Sequence, residues 1–109
     1  MTRRFGQVIG LRPEAYDEYV KAHAAVWPSV LATIHACGIR NYSIFAFGRD
    51  LLFATFEYVG ADFAADTQRM AEDVDTQRWW AWMMPLQQPL EGRTEGEWWA
   101  TMEEVFHVD

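Results

Sequence analysis

The stretch Ile39-Arg40-Asn41-Tyr42-Ser43-Ile44-Phe45-Ala46-Phe47-Gly48-Arg49-Asp50-Leu51-Leu52-Phe53-Ala54-Thr55-Phe56-Glu57-Tyr58-Val59 sets two runs of aromatic and β-branched residues around a short turn. Ile39 to Phe47 and Leu51 to Val59 therefore read as an antiparallel hairpin closed at Gly48-Arg49-Asp50. Its aromatic side chains Phe45, Phe47, Phe53, Phe56 and Tyr58 fall on both alternating sets. A sheet built on this hairpin has apolar groups on both faces, so neither face suits bulk water.

Upstream, Phe5 to Leu11 alternates Phe5, Gln7, Ile9 and Leu11 against Gly6, Val8 and Gly10, as a first strand would. Arg12-Pro13-Glu14 then opens a helix, with Pro in the first turn and an acid beside it. Its apolar stripe is Tyr16, Tyr19/Val20, His23, Val26/Trp27, Val30/Leu31 and Ile34, ending at Gly38. Pro28 predicts a kink or restart, because it removes one backbone donor and crowds the preceding turn.

Downstream, Gly60-Ala61-Asp62 caps a second helical region, Phe63 to Met70, which gives way near Asp75. Asp75 is expected to N-cap Thr76 to Met84, with Pro85 ending that segment. Pro85 to Gly96 reads as a loop, and Trp98 to Val108 as a last strand returning to the sheet. The order β-α-β-β-α-β predicts an α+β, ferredoxin-like fold: a four-stranded antiparallel sheet with both helices on one face. A second copy laid against the bare face would make a dimeric α+β barrel. The expectation is one domain over residues 1–109, acting as a homodimer.

Composition narrows the partners. The chain has 109 residues, 9 Lys+Arg against 16 Asp+Glu, and a formal net charge of −7, which leaves no basic surface for nucleic acid or an anionic membrane. No apolar run approaches a bilayer span, and Arg3-Arg4 has no apolar segment behind it, so a cytoplasmic protein is expected. Cys37 stands alone and reads as a small buried residue at a helix end. Six Trp in so short a chain exceed what the core can hide, and the surplus belongs to a pocket, an interface or both.

Familiar catalytic templates are missing: no Gly-rich phosphate loop, no G-x-S-x-G and no H-E-x-x-H. His23, His35 and His107 have no partner at ligand spacing, so no metal is expected. His23 lies one turn after Tyr19 and one turn before Trp27, on one helical face. It is either a half-buried histidine satisfied by a backbone carbonyl, or a general acid/base on an aromatic floor beside the break at Pro28. Trp79 and Trp80 point about 100° apart on a helix, so one can join the core while the other meets a ligand or an interface. Trp98-Trp99 suit interface anchors, and Tyr42 carries a hydroxyl at the sheet edge. Glu103-Glu104 offers one carboxylate to each face of the last strand, and Glu104 is the candidate to support a histidine.

Several of these segments together resemble one family. Tyr19-Val20-Lys21-Ala22-His23 with Val26-Trp27-Pro28, then Asn41-Tyr42-Ser43-Ile44-Phe45, then Thr76-Gln77-Arg78-Trp79-Trp80, then Met102-Glu103-Glu104-Val105-Phe106-His107 are similar to the L-rhamnose mutarotases, in the same order from end to end. The resemblance implies a cofactor-free isomerase that interconverts the α and β anomers of L-rhamnose, a small-molecule sugar. It also implies that His23 is the acid/base and that Tyr19, Tyr42, Trp79 and Trp80 contact the sugar; Trp27, flanking the helix break beside His23, is a candidate support. Ala24 stands where members of the family often carry Asn, which keeps L-fucose or another aldose open as the substrate. Two other classes fit the same architecture. One is a dimeric α+β barrel monooxygenase or haem-binding protein with His23 as axial ligand, and the other is a non-catalytic ligand-binding barrel.

Overall fold

The hairpin forms where the sequence places it. In the computed structural model, which describes residues 2–109, strand β2 (Ile39–Phe47) and strand β3 (Leu51–Tyr58) pair antiparallel. Strand β1 (Arg3–Leu11) pairs with the other edge of β3, from Arg3 opposite Tyr58 to Gly10 opposite Leu51. Residue 1, included in the expected 1–109 domain, lies outside the described residues.

The ladder between β2 and β3 contains one irregularity that orients the strand. Arg40 faces Glu57 and Ser43 faces Thr55, so Asn41 and Tyr42 together oppose Phe56. This is a β-bulge, and Asn41 supplies the left-handed backbone it requires, with φ of 51°. The Asn41 side chain donates through Nδ2 to Glu57 Oε1 at 2.7 Å. Because strand side chains alternate, one extra residue reverses the facing of everything after it. Tyr42, Ile44 and Ala46 thereby join Phe56, Ala54 and Leu52 on one face, while Phe45 and Phe47 join Phe53 on the other.

The first of these faces is covered by helices. The helix expected between Arg12 and Gly38 is split by the Ala24–Trp27 turn into α1 (Tyr16–His23) and α2 (Pro28–Ala36), with Pro28 starting α2 where its missing N–H costs nothing. α1, α2 and the later helix α4 (Val74–Met83) bring Tyr19, Ala22, Val30, Trp79 and Met83 onto Ile9, Leu11 and Leu52. α3 (Phe63–Glu72) sets Phe63 on a second group, in which Phe5 stacks on Phe56 at 4.8 Å and on Phe63 at 4.7 Å. These sheet residues share one face, so all four helices lie on that side. Truncating a core side chain such as Leu52 to Ala would cost about 2–5 kcal/mol.

Two expectations about helix starts meet different outcomes. Asp62 caps α3 by accepting from the Ala65 N–H at 3.1 Å, as read. The cap of α4 is Asp73 and not Asp75: its carboxylate accepts from the Thr76 N–H at 2.9 Å and the Thr76 hydroxyl at 2.8 Å. Those bonds hold the Asp73 carboxyl below its ordinary pKa. Asp75 sits inside the first turn, where its charge still suits the helix dipole.

The fourth lane of the sheet is divided. Within the segment expected as loop, β4 (Gln87–Gln88) pairs with Leu11 and Gly10, and β5 (Ala100–Met102) pairs with Val8, Gln7 and Gly6. The last strand read over Trp98–Val108 is thus confined to Ala100–Met102. Residues 103–109 have no ladder partner, and alternation cannot persist as a strand without an edge to bond. Val105, Phe106 and Val108 are exposed.

Candidate active site

The break between α1 and α2 concentrates aromatic rings under the covered face of the sheet. Tyr19 stacks on His23 with ring centres 4.2 Å apart, and His23 meets the edge of Trp79 at 5.4 Å. Trp27, in the turn that precedes Pro28, lies 5.2 Å from Trp79 and 6.1 Å from Trp82. Trp79 is the α4 tryptophan that enters the core, and its i+3 neighbour Trp82 completes the cluster at 5.4 Å. Trp82 Nε1–H donates to Glu18 Oε2 at 2.7 Å, which ties α4 to α1.

His23 is oriented by its own helix. Its Nδ1 lies 2.9 Å from the Tyr19 carbonyl, an atom that can only accept, so Nδ1 carries the proton. The neutral ring therefore keeps the Nε2 lone pair free. Burial lowers its pKa below the ordinary 6.5 by disfavouring the cation, against a smaller upward pull from the carbonyl bond. The carbonyl bond engages one ring nitrogen, and among the described residues the other has no hydrogen-bond partner.

Tyr19 is buried, 3% exposed, and its phenol is held in the neutral form: burial raises its pKa, donation by Gln87 offsets part of the rise, and Tyr42 adds to it. Tyr42 lies on the face to which the bulge turns it, where its ring is 5.7 Å from Phe56. Tyr42 stays 43% exposed.

The remaining expected residues separate. Trp80 is 37% exposed and has no ring contact with this cluster among the described residues. Glu104 lies away from His23, with its carboxylate 3.3 Å from Arg4 Nε at the start of β1. Three residues of the arrangement were not singled out by sequence for this role. Trp82 had a signal, its i+3 spacing from Trp79. Gln87 and Trp98 had none, being brought together across a loop: Trp98 Nε1–H donates to Gln87 Oε1 at 2.7 Å, and Gln87 Nε2 donates to the Tyr19 oxygen at 3.2 Å. Trp98 and Trp99 both pack against the core.

A cleft of about 410 Å³ between Gly10–Leu11, Asp50–Leu51 and Gln88–Glu91 carries none of these aromatic side chains. Among the described residues no group of three or more His, Cys, Asp or Glu gathers as a metal site, and no helix is long and apolar enough to cross a membrane.

A neutral imidazole with one free nitrogen, a neutral phenol beside it and indole walls have the chemistry that proton transfer on a small, largely uncharged molecule would need. Comparison with known proteins gives the class. The family model described as L-rhamnose mutarotase matches residues 4–108. An L-rhamnose mutarotase of Lactiplantibacillus plantarum is 36% identical over 106 residues, covering 97% of this chain and 98% of that one. Another from Oceanobacillus iheyensis is 30% identical over 107 residues, covering 98% and 99%. The crystal structure of an L-rhamnose mutarotase from Formosa agariphila superposes with a TM-score of 0.76 at 21% identity over 98% of this chain and 99% of that one, which shows the shared fold. The chain belongs to the L-rhamnose mutarotase family.

Proposed function

We propose that this protein interconverts the α and β anomers of L-rhamnose, with His23 as the acid/base. Near full-length identity to curated L-rhamnose mutarotases supports the substrate. The single observation that supports His23 is its Nδ1–H bond to the Tyr19 carbonyl, which leaves Nε2 free beside a neutral phenol. Mutarotation removes a proton from the anomeric hydroxyl while another reaches the ring oxygen. The C1–ring-oxygen bond then breaks to give the open aldehyde. Rotation about the C1–C2 bond and reclosure on the other face return both protons. A neutral imidazole can take a proton at Nε2 and return it, worth about 10²- to 10⁴-fold. Tyr19, Tyr42, Trp79 and Trp80 are the proposed sugar contacts, with rings suited to the C–H faces and the 6-deoxy methyl group.

The working unit in this reading is a cytoplasmic homodimer. Phe45 and Phe47, 60% and 71% exposed on the helix-free face, support a second copy, as does the exposed 103–109 segment. Trp80 would meet the sugar at the site's rim.

The test is saturation-transfer NMR between the anomers of L-rhamnose. Wild-type protein should exchange them well above the buffer rate, and His23→Ala should lose about 10²-fold or more of that acceleration. Wild-type exchange no faster than buffer would refute the reading. Exchange of L-fucose but not L-rhamnose would move the substrate within the same chemistry.

A further inference from the structure

The chain Trp98–Gln87–Tyr19 has a direction. An indole N–H can only donate, so the Gln87 amide must turn its oxygen to Trp98, 2.7 Å away. Its nitrogen then faces Tyr19 and donates to the phenol oxygen at 3.2 Å. Gln87 is 5% exposed and cannot exchange these partners for water. Tyr19 is thereby the acceptor in this bond, and its own O–H proton must point elsewhere. Among the described residues no acceptor takes that proton, although the group is buried. A buried donor without an acceptor in the protein is a place for a ligand's oxygen.

We infer that Gln87, locked by Trp98, is a positioning residue that commits the Tyr19 hydroxyl to donate its proton to an oxygen of the bound sugar. The assignment rests on the L-rhamnose reading above and adds a polarity to it. Gln87 enters from β4 and Trp98 from the far side of the loop before β5, so the loop is fastened to the site through one amide. Gln87 touches no reacting atom in this scheme. Its effect reaches the sugar through Tyr19 and appears in binding.

The test is a double-mutant cycle read in KM and kcat by anomer exchange of L-rhamnose. Gln87→Met keeps the side-chain volume and removes both hydrogen bonds, so Tyr19 loses its orientation. It should raise KM about five-fold with kcat nearly unchanged. In the Tyr19→Phe background, where there is no hydroxyl to orient, the same substitution should change KM by less than about two-fold. In ¹⁵N-tryptophan-labelled protein the Trp98 indole N–H resonance should move upfield in Gln87→Met. If Gln87→Met does not fold, Trp98→Phe frees the amide to turn and should show a smaller rise in KM, again lost with Tyr19→Phe. Equal effects in both backgrounds, or an unchanged KM in a folded variant, would overturn the assignment while the mutarotase reading stands. Absence of wild-type exchange would overturn both.

Discussion

His23 combines two conditions that seldom meet in one side chain, partial burial and a free ring nitrogen. Burial holds its folded pKa below the unfolded value of 6.5. The base form thus persists as pH falls below 6.5, and kcat/KM should decline only when pH passes below the depressed value, which a pH–rate profile with L-rhamnose would show. Stability responds in the same window. The unfolded chain binds the proton more tightly, so the contribution is complete above pH 6.5 and is lost as pH falls through the folded pKa. Urea midpoints of wild type and His23→Phe between pH 5 and 8 would test this, and a pH-dependence unaltered by the substitution would contradict it. At this scale the sequence was informative wherever a helical period carried the message. Tyr19, His23 and Trp27 lie in one stripe, and the structure gathers them. Gln87 and Trp98 are joined by a fold-dependent contact that no local spacing encodes.

Among the elements, the bulge in β2 has the widest reach. Asn41→Gly keeps the left-handed backbone and gives up the bond to Glu57, whereas Asn41→Val forces a β-branched residue into it, at a cost of about 1–2 kcal/mol. Denaturant melts should rank wild type, Gly, then Val, with L-rhamnose exchange falling furthest in the Val variant as Tyr42 is displaced. The β1–β4 contact is equally tight. A Cβ at Gly10 would run into the Gln88 carbonyl, which is backbone and has little room to give. Gly10→Ala should destabilise by about 1–3 kcal/mol and raise KM, because the strand it pushes away carries Gln87. A Gly10→Ala protein with wild-type melting and KM would show β4 to be dispensable. The hairpin, the first strand and the helix break were legible because Gly48, Pro13 and Pro28 punctuate strong apolar patterns. Alternation in Met102–Val108 says nothing about where its partner edge ends, and the ladder stops at Met102. Asp73 and Asp75 both stand near the start of one helix, and which of them caps it turns on which reaches Thr76, a distance the sequence does not carry.

For the whole molecule, the order of the long strands and helices followed from sequence because each announces its own period, while the two-residue β4 is too short to carry one, and the uncovered face followed from aromatics on both alternating sets. In the proposed homodimer a second chain would cover that face. The proposed homodimer predicts that Phe47→Lys, on a ring 71% exposed, yields monomer in sedimentation velocity without loss of secondary structure. A wild-type protein that is monomeric at micromolar concentration would remove the dimer.

The divided fourth lane has a practical meaning. Gln88 faces Gly10 and Ala100 faces Val8, so both ends of the intervening segment are moored two positions apart on one strand, about 7 Å. The span between them is an insertion port, and Gly92 within it has open space around it. Doubling its length would cost about 0.6 kcal/mol in closure entropy. A reporter peptide or fluorophore grafted at Gly92 would ride on the loop that Trp98 moors to Gln87 without entering the sheet.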